Sequence, residues 1–357
     1  MMGRTMGKIA KGIGLFCLSV ILAFAGLTLF CALYYHLPAR MEDPDGVTDF
    51  RWAGHAFYSR GTEGFAAGRT NNEGYINDSD YVPGDAVDVL VIGSSHMEAL
   101  QVPMRETTTA ILSERLPDLS IYNVGLSNHD FLTCIRHLPA ALEKYHPARF
   151  TIIETVNLIF SDYEFESALR TNGESEEGKR SILYELVQKN HYLRLLYSQM
   201  ESYRKAKAGA QGDNADQISD SPDAEPKNSA EAVNRFLSRL HDLSEQAGTK
   251  VIIAYHPKAS INADGSLQVW SDVSTMRQFD ELCRQNGIGF LDLSGRIQEE
   301  YRMRHILPYG FINSAVGNGH FNVDGHRMFA EELIRTMNEM EEADRTAQHR
   351  TVAATIR

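Results

Sequence analysis

The chain has 357 residues, 43% of them apolar and 23% charged, with a formal net charge of −12. That balance excludes a wholly disordered chain and disfavours a nucleic-acid backbone as partner. The length allows one large domain plus an anchor, or two small domains.

The first element is an apolar run, Gly12 to Tyr35, of 24 residues without a formal charge. As a helix it would be about 36 Å long, enough to cross a hydrocarbon core of ~30 Å. Arg4, Lys8 and Lys11 precede it without an acid among them, which places residues 1–11 on the cytoplasmic side. Tyr34 and Tyr35 sit where aromatic residues favour the interface, and Pro38 closes the helix. A cleaved signal peptide is disfavoured, because the run is too long and no small-x-small site follows it. Residues 12–35 are therefore expected to be an uncleaved transmembrane anchor, with the body outside the cytoplasm. Beyond the three basic residues of the tail, 32 of the 35 Lys and Arg face 47 acids, a net of −15. Such a body suits a neutral or acetylated glycan better than an anionic polymer. Cys17 and Cys31 lie in the anchor; Cys134 and Cys283, in the body, read as two unpaired buried thiols.

Residues 36–84, rich in Gly, Asp, Asn and Arg, read as a stalk and irregular lead-in. The main domain is expected over 85–345. Its short apolar runs are Val87–Ile92, Ser120–Val124, Phe150–Val156, Lys250–Tyr255 and Gly289–Leu293, each dense enough for a strand covered on both faces. Helix-length segments separate them. Asn228–Ala247 opens on a capping-box pattern of Asn228 and Glu231, and Gly248 closes it. Alternation of strands and helices predicts an α/β fold, a parallel sheet with helices on both sides. An insertion over 161–227 breaks the rhythm. Its part 181–207 is helical in pattern, and 208–227 lacks large apolar residues and reads as disordered. Residues 346–357 are left as a C-terminal tail.

Two segments carry candidate chemistry. A buried strand runs into Gly93-Ser94-Ser95-His96, which places a serine hydroxyl at a strand's carboxyl end and a helix's start. Far downstream, His320 stands in a loop, Asn318-Gly319-His320-Phe321-Asn322, just before an amphipathic helix. A loop histidine that is neutral at working pH can deprotonate a serine.

In order along the chain, these blocks resemble those of SGNH/GDSL hydrolases. Gly93-Ser94-Ser95 is similar to the first block, with Ser95 at the nucleophile. Asn123-Val124-Gly125-Leu126-Ser127-Asn128 resembles the second, Thr155-Val156-Asn157-Leu158 the third, and Gly319-His320-Phe321-Asn322 the last. The resemblance covers about Val87 to Leu333 and implies a three-layer, flavodoxin-like sandwich with Ser95 and His320 catalytic. It implies an oxyanion hole from the N–H groups of Ser95 and Asn128 (or Gly125) and the Asn157 amide. The sequence departs from the blocks at Ser94, Asn128 and Thr155, and above all in the acid that should precede the histidine, where Gly317 and Asn318 stand. Three arrangements are open: a dyad held by a backbone carbonyl or Asn318, an acid from elsewhere (Asp324, Glu98 or Asp292), or a site no longer catalytic. His96 is expected to line the pocket at the helix start or to contact substrate, His256 to line the crevice or to open a loop, and His326 to lie on the surface or to support the pocket from behind. No His, Cys, Asp or Glu grouping has zinc spacing and no loop reads as a phosphate cradle, so neither metal nor cofactor is expected. The resemblance implies an esterase or O-acetyltransferase acting on acylated glycans of the cell envelope. The alternative is an inactive glycan-binding or assembly protein on the same fold.

Overall fold

The computed structural model describes residues 2–168, 190–210, 229–262 and 264–355. The chain opens on helix α1, Met2–Tyr34. Its stretch Lys11–Tyr34 is long and apolar enough to cross a membrane, with only 6% of its most apolar part buried against the protein. Residues 36–84 do not form a stalk. They fold into five short strands, β1 (Tyr35–His36), β2 (Arg40–Met41), β3 (Arg51–Trp52), β4 (Phe57–Arg60) and β5 (Ala66–Arg69). These make two small antiparallel sheets, β1-β4-β5 and β2-β3. Scattered through the polar lead-in are Trp52, Tyr58, Tyr75, Ile76 and Tyr81, all buried. Tyr75 and Tyr81 join the main core beside Tyr122 and Tyr145. The Gly, Asn and Asp that suggested a stalk are the turns between these strands.

The body alternates as expected: β6 (Val89–Ile92), α2 (Ser95–Glu98), α3 (Thr108–Arg115), β7 (Ile121–Asn123), α4 (Phe131–Tyr145), β8 (Phe150–Thr155) and α5 (Asp162–Ala168). After α6 (His191–Ala210) come α7 (Ala230–Ala247), β9 (Lys250–Tyr255), the hairpin β10 (Lys258–Ile261) and β11 (Leu267–Trp270), α8 (Val273–Gln285), β12 (Gly289–Asp292), α9 (Ser294–Arg304) and α10 (Val323–Thr355). Helix α6 packs beside α1, with Tyr192 edge-on to Phe24. The segment 208–227 falls outside the described residues except for its first three, which end α6. Asn228 is also outside them; the observed cap of α7 is Ser229, whose hydroxyl accepts from Ala232 N–H. The segment 346–355 is not a separate tail but continues α10.

Strands β12-β9-β8-β6-β7 form one sheet, every pairing parallel. In order of appearance this is 2-1-3-4-5, the flavodoxin-like order, whose reversal lies between β6 and β8. Alternate strand residues face opposite sides. Leu90, Ile92 and Ile153 join the core under α4, α7 and α8, whereas Val89, Val91 and Ile152 join the core under α3, α9 and α10. Burial on both faces explains why these strands are continuous apolar runs. All four cysteines are free thiols, and burial pushes those of Cys134 and Cys283 up.

Candidate active site

The site lies at the carboxyl end of β6, where an open α/β sheet leaves a crevice beside the reversal point. Four buried residues end at Gly93. A Cβ there would come within 2.6 Å of a Glu154 carboxylate oxygen and 2.7 Å of Met97 Cγ, so only glycine lets the two strand ends meet. Ser94 then caps α2, accepting from His96 N–H at 3.2 Å. Ser94 N–H donates to Glu154 Oε2 at 2.6 Å and its hydroxyl to Oε1 at 3.2 Å. Both oxygens of the Glu154 carboxylate, from the neighbouring strand, are thus engaged by Ser94. Glu154 is fully buried and bonded to His256 Nε2 at 2.6 Å; His256 Nδ1 meets the Tyr309 hydroxyl at 2.9 Å. This buried polar chain is satisfied at each link, as a dry interior requires.

With Ser94 used for the cap, the half-buried Ser95 is left to meet His320. His320 Nε2 lies 2.9 Å from Ser95 Oγ across 225 residues of sequence. His320 Nδ1 lies 2.7 Å from Glu63 Oε2, and the His320 backbone N–H donates to Glu63 Oε1 at 2.9 Å. A carboxylate only accepts, so Nδ1 carries the hydrogen and Nε2 is left with its lone pair toward the serine. Burial acts to raise the Glu63 carboxyl. The hydrogen bonds and charge of His320, with Arg60 behind, outweigh it and hold the group below its ordinary range. Gly319, at φ +106°, makes the approach feasible, since a Cβ there would sit 2.3 Å from Glu63 Oε1. Asn313 fixes the other side. Its side chain accepts from Gly64 N–H at 2.9 Å and donates to the carbonyls of Gly61 (2.9 Å) and Gly64 (2.6 Å).

The remaining expected residues distribute as follows. Asn128 takes φ +70°, the left-handed backbone that asparagine tolerates. Gly125 is not placed as an oxyanion donor, because its N–H is already bonded to Asn123 Oδ1 at 2.9 Å beneath α2. Asn157 is exposed and ties one amide hydrogen to Ile159 O at 3.2 Å; an amide has a second. None of the acids proposed for His320 serves it. Asp324 pairs with Arg327 one turn on in its helix, and Asp292 accepts from Ser294 at the start of α9. Glu98 is buried under Trp52 and Ser127, where desolvation raises it. Asn318 is exposed, its N–H bonded to Ala315 O at 3.2 Å. His96 packs edge-on to Phe321, and its Nδ1 accepts from Phe321 N–H at 3.1 Å, which braces the loop just after His320. His326 is buried rather than on the surface, bonded to Thr108. Sequence reasoning missed Glu63, Glu154 and Asn313; for Glu63 the local signal was a carboxylate in a turn, Gly61-Thr62-Glu63-Gly64.

No protein-family model matches the sequence, and no curated protein matches it. Solved structures similar to the chain include TesA, at 12% identity and a TM-score of 0.38, spanning 71% of this chain and 98% of that one. The psychrotrophic esterase EstA from Pseudoalteromonas sp. is 12% identical at a TM-score of 0.37, spanning 71% and 99%. The acetyl xylan esterase AlAXEase is 12% identical at 0.37, spanning 69% and 98%. Likenesses this distant carry no weight for what this chain does; its own geometry does.

Proposed function

We propose that this chain is a serine ester hydrolase of the SGNH type, working through Ser95, His320 and Glu63. The observation that carries the reading is the continuous hydrogen-bonded line from Glu63 through His320 to Ser95 Oγ, with links of 2.7 and 2.9 Å. Three residues from positions 63, 95 and 320 meet in the order that nucleophilic catalysis uses: orienting acid, base, nucleophile. With the acid supplied, the motive for an inactive protein disappears.

In the proposed reaction His320 Nε2 takes the Ser95 hydroxyl proton as Oγ bonds to the ester carbonyl carbon. The imidazolium so formed is stabilised by Glu63, which stays ionised. The carbonyl π electrons move to oxygen, and that oxyanion is received by the N–H groups of Ser95 and Asn128 and the second Asn157 amide hydrogen. One such donor is worth about 3–4 kcal/mol. Collapse expels the alcohol, which leaves with the His320 proton, and the acyl group stays on Ser95. A water, or a sugar hydroxyl in the same place, gives its proton to His320 and attacks the acyl-enzyme. The tetrahedral adduct collapses, the acid or the new ester departs, and His320 returns its proton to Ser95 Oγ, which regenerates both residues.

Lys11–Tyr34 is proposed as an uncleaved anchor with the basic N-terminus inside and the body outside the cytoplasm, supported by its apolar exposure and the preceding basic residues. The proposed substrates are acyl, especially acetyl, esters of cell-envelope or extracellular glycans, in keeping with the family resemblance and the acidic body. One arm of the test is covalent: the full chain in detergent is treated with a fluorophosphonate, and the adduct is mapped by mass spectrometry. The label should fall on Ser95 and be lost in Ser95→Ala. The second arm is turnover of p-nitrophenyl acetate and of acetylated glycans. A label on another residue, with Ser95→Ala fully active, would overturn the assignment.

A further inference from the structure

Outside the triad, Asp49 of the lead-in meets His129, just before α4, and His137, on it. Their candidate ligand atoms all lie within 4.8 Å of one another. We infer that Asp49, His129 and His137 form a binding site for a zinc-like divalent cation that fastens the lead-in to the body.

The distances suit that chemistry. Zinc–nitrogen and zinc–oxygen bonds of about 2.0–2.2 Å in a tetrahedron put ligand atoms roughly 3.3 Å apart. Asp49 Oδ1 is 3.0 Å from His137 Nε2, and Oδ2 is 3.5 Å from His129 Nε2. The hydrogen-bond bookkeeping points the same way. His137 Nδ1 is bonded to Gly46 O at 2.8 Å, and a carbonyl can only accept, so Nδ1 carries a hydrogen. Its Nε2, if the ring is neutral, turns a lone pair toward a carboxylate oxygen. His129 Nε2 likewise faces Oδ2, with a weak 3.4 Å contact from Asp49 N–H that metal entry would replace. A lone pair facing a carboxylate oxygen repels it unless a proton or a metal ion lies between them: His137 would need a second ring proton, and His129 would need the Nε2–H tautomer, which can no longer accept from Asp49 N–H. That alternative places a protonated His137 against Asp49 where both imidazoles are buried, at 1% and 4% exposure, and a buried ion pair carries a desolvation cost. One divalent cation satisfies all three groups together. The Nδ1–H to backbone carbonyl bond is the usual outer support of a zinc-binding histidine. Asp49 is 36% exposed, which leaves the fourth position open to water.

The sequence hides this site because its ligands have no zinc spacing: residues 49 and 129 are 80 apart. Its consequence reaches the triad without touching it. Asp49 belongs to the same folded lead-in as Glu63, and His129 follows Asn128, so the cation would tie together the two segments that flank the crevice.

The test strips full-length protein in detergent with a chelator and returns zinc chloride. One equivalent of zinc should be retained through gel filtration, and the melting temperature should rise by several degrees, as for any ligand that binds only the folded chain. X-ray absorption should show two imidazole nitrogens and oxygen near 2.0–2.1 Å. Asp49→Asn and His137→Gln should each lower zinc affinity at least 100-fold, and circular dichroism checks that they fold. Stripped wild-type protein that binds no zinc at 10-fold excess and melts unchanged would overturn the site in favour of a protonated histidine bridge. So would a sulfur ligand in the absorption spectrum, or unchanged affinity in both variants.

Discussion

Glu63→Gln is the sharpest perturbation of the proposed machinery, because it keeps shape and removes one acceptor. Two donors from His320, Nδ1–H and the backbone N–H, converge on two oxygens of one carboxylate at 2.7 and 2.9 Å. Glutamine offers one oxygen and an NH2. If its oxygen takes Nδ1–H, its NH2 faces the backbone N–H; if it turns over, the imidazole must shift its hydrogen to Nε2. In that second tautomer Ser95 has no base. In the first, the imidazolium of the transition state loses a charged partner. A hydrogen bond to a charged group contributes about 1.5–3 kcal/mol, and a wrong-tautomer amide in the serine-protease triad costs ~10⁴ in kcat. Glu63→Gln should therefore lower kcat by about 10²–10⁴ with KM little changed. The assay is steady-state hydrolysis of p-nitrophenyl acetate by the full chain in detergent, with Ser95→Ala as the floor. Activity of Glu63→Gln within threefold of wild type, while Ser95→Ala sits at that floor, would refute Glu63 as the acid.

Ser95→Ala should abolish turnover, and His320→Ala should fall within about tenfold of it, since members of one catalytic unit are not additive. Asn157→Ala should lose about 10²–10³ in kcat, the effect of a single oxyanion donor. Asn313→Ala should lower kcat less than Glu63→Gln, and should speed amide exchange at residues 61–64, because it frees the turn that presents Glu63. The pH dependence of stability should follow His326, which burial first, then the neighbouring His256 and His320, hold down to about 3. An unfolded histidine takes its proton near 6.5, so the unfolded chain binds more protons between those values and stability falls as pH drops below ~6.5. Denaturant unfolding at pH 7.5 and 5 should differ by about 2 kcal/mol from this residue, and His326→Gln should flatten the slope. A slope unchanged in that variant would leave the effect to His96, which burial also lowers.

The sheet was legible because strands buried on both faces must be apolar throughout, and the five runs at 87, 120, 150, 250 and 289 carry that signature in plain sequence. Ser95 and His320 were legible for a related reason. Each stands at a forced position, one where a buried strand must stop and one where a loop meets an amphipathic helix. The lead-in was not. Its strands are two to four residues long, too short for any period to show, and its core is a set of isolated aromatics among turn residues. Glu63 belongs to that segment, and its value to His320 depends on a contact across 257 residues.

That placement has a physical rationale. What His320 Nδ1 requires is a carboxylate oxygen at hydrogen-bond distance and the right angle, and nothing in the requirement specifies the element that brings it. When Gly317 and Asn318 stand where an acid would precede the histidine, Gly317 at φ +81° and Gly319 at φ +106° let the loop turn so that the His320 backbone and ring address the same group. The lead-in then supplies it, held by Asn313 from the same loop. A boundary drawn at residue 85, which the composition suggests, would keep Ser95 and His320 but cut away Glu63. The lead-in is therefore part of the catalytic unit in the proposed reading. The same logic applies to Glu154, whose carboxylate reaches Ser94 from the next strand. In both cases a carboxylate distant in sequence arrives at the site from a neighbour in space.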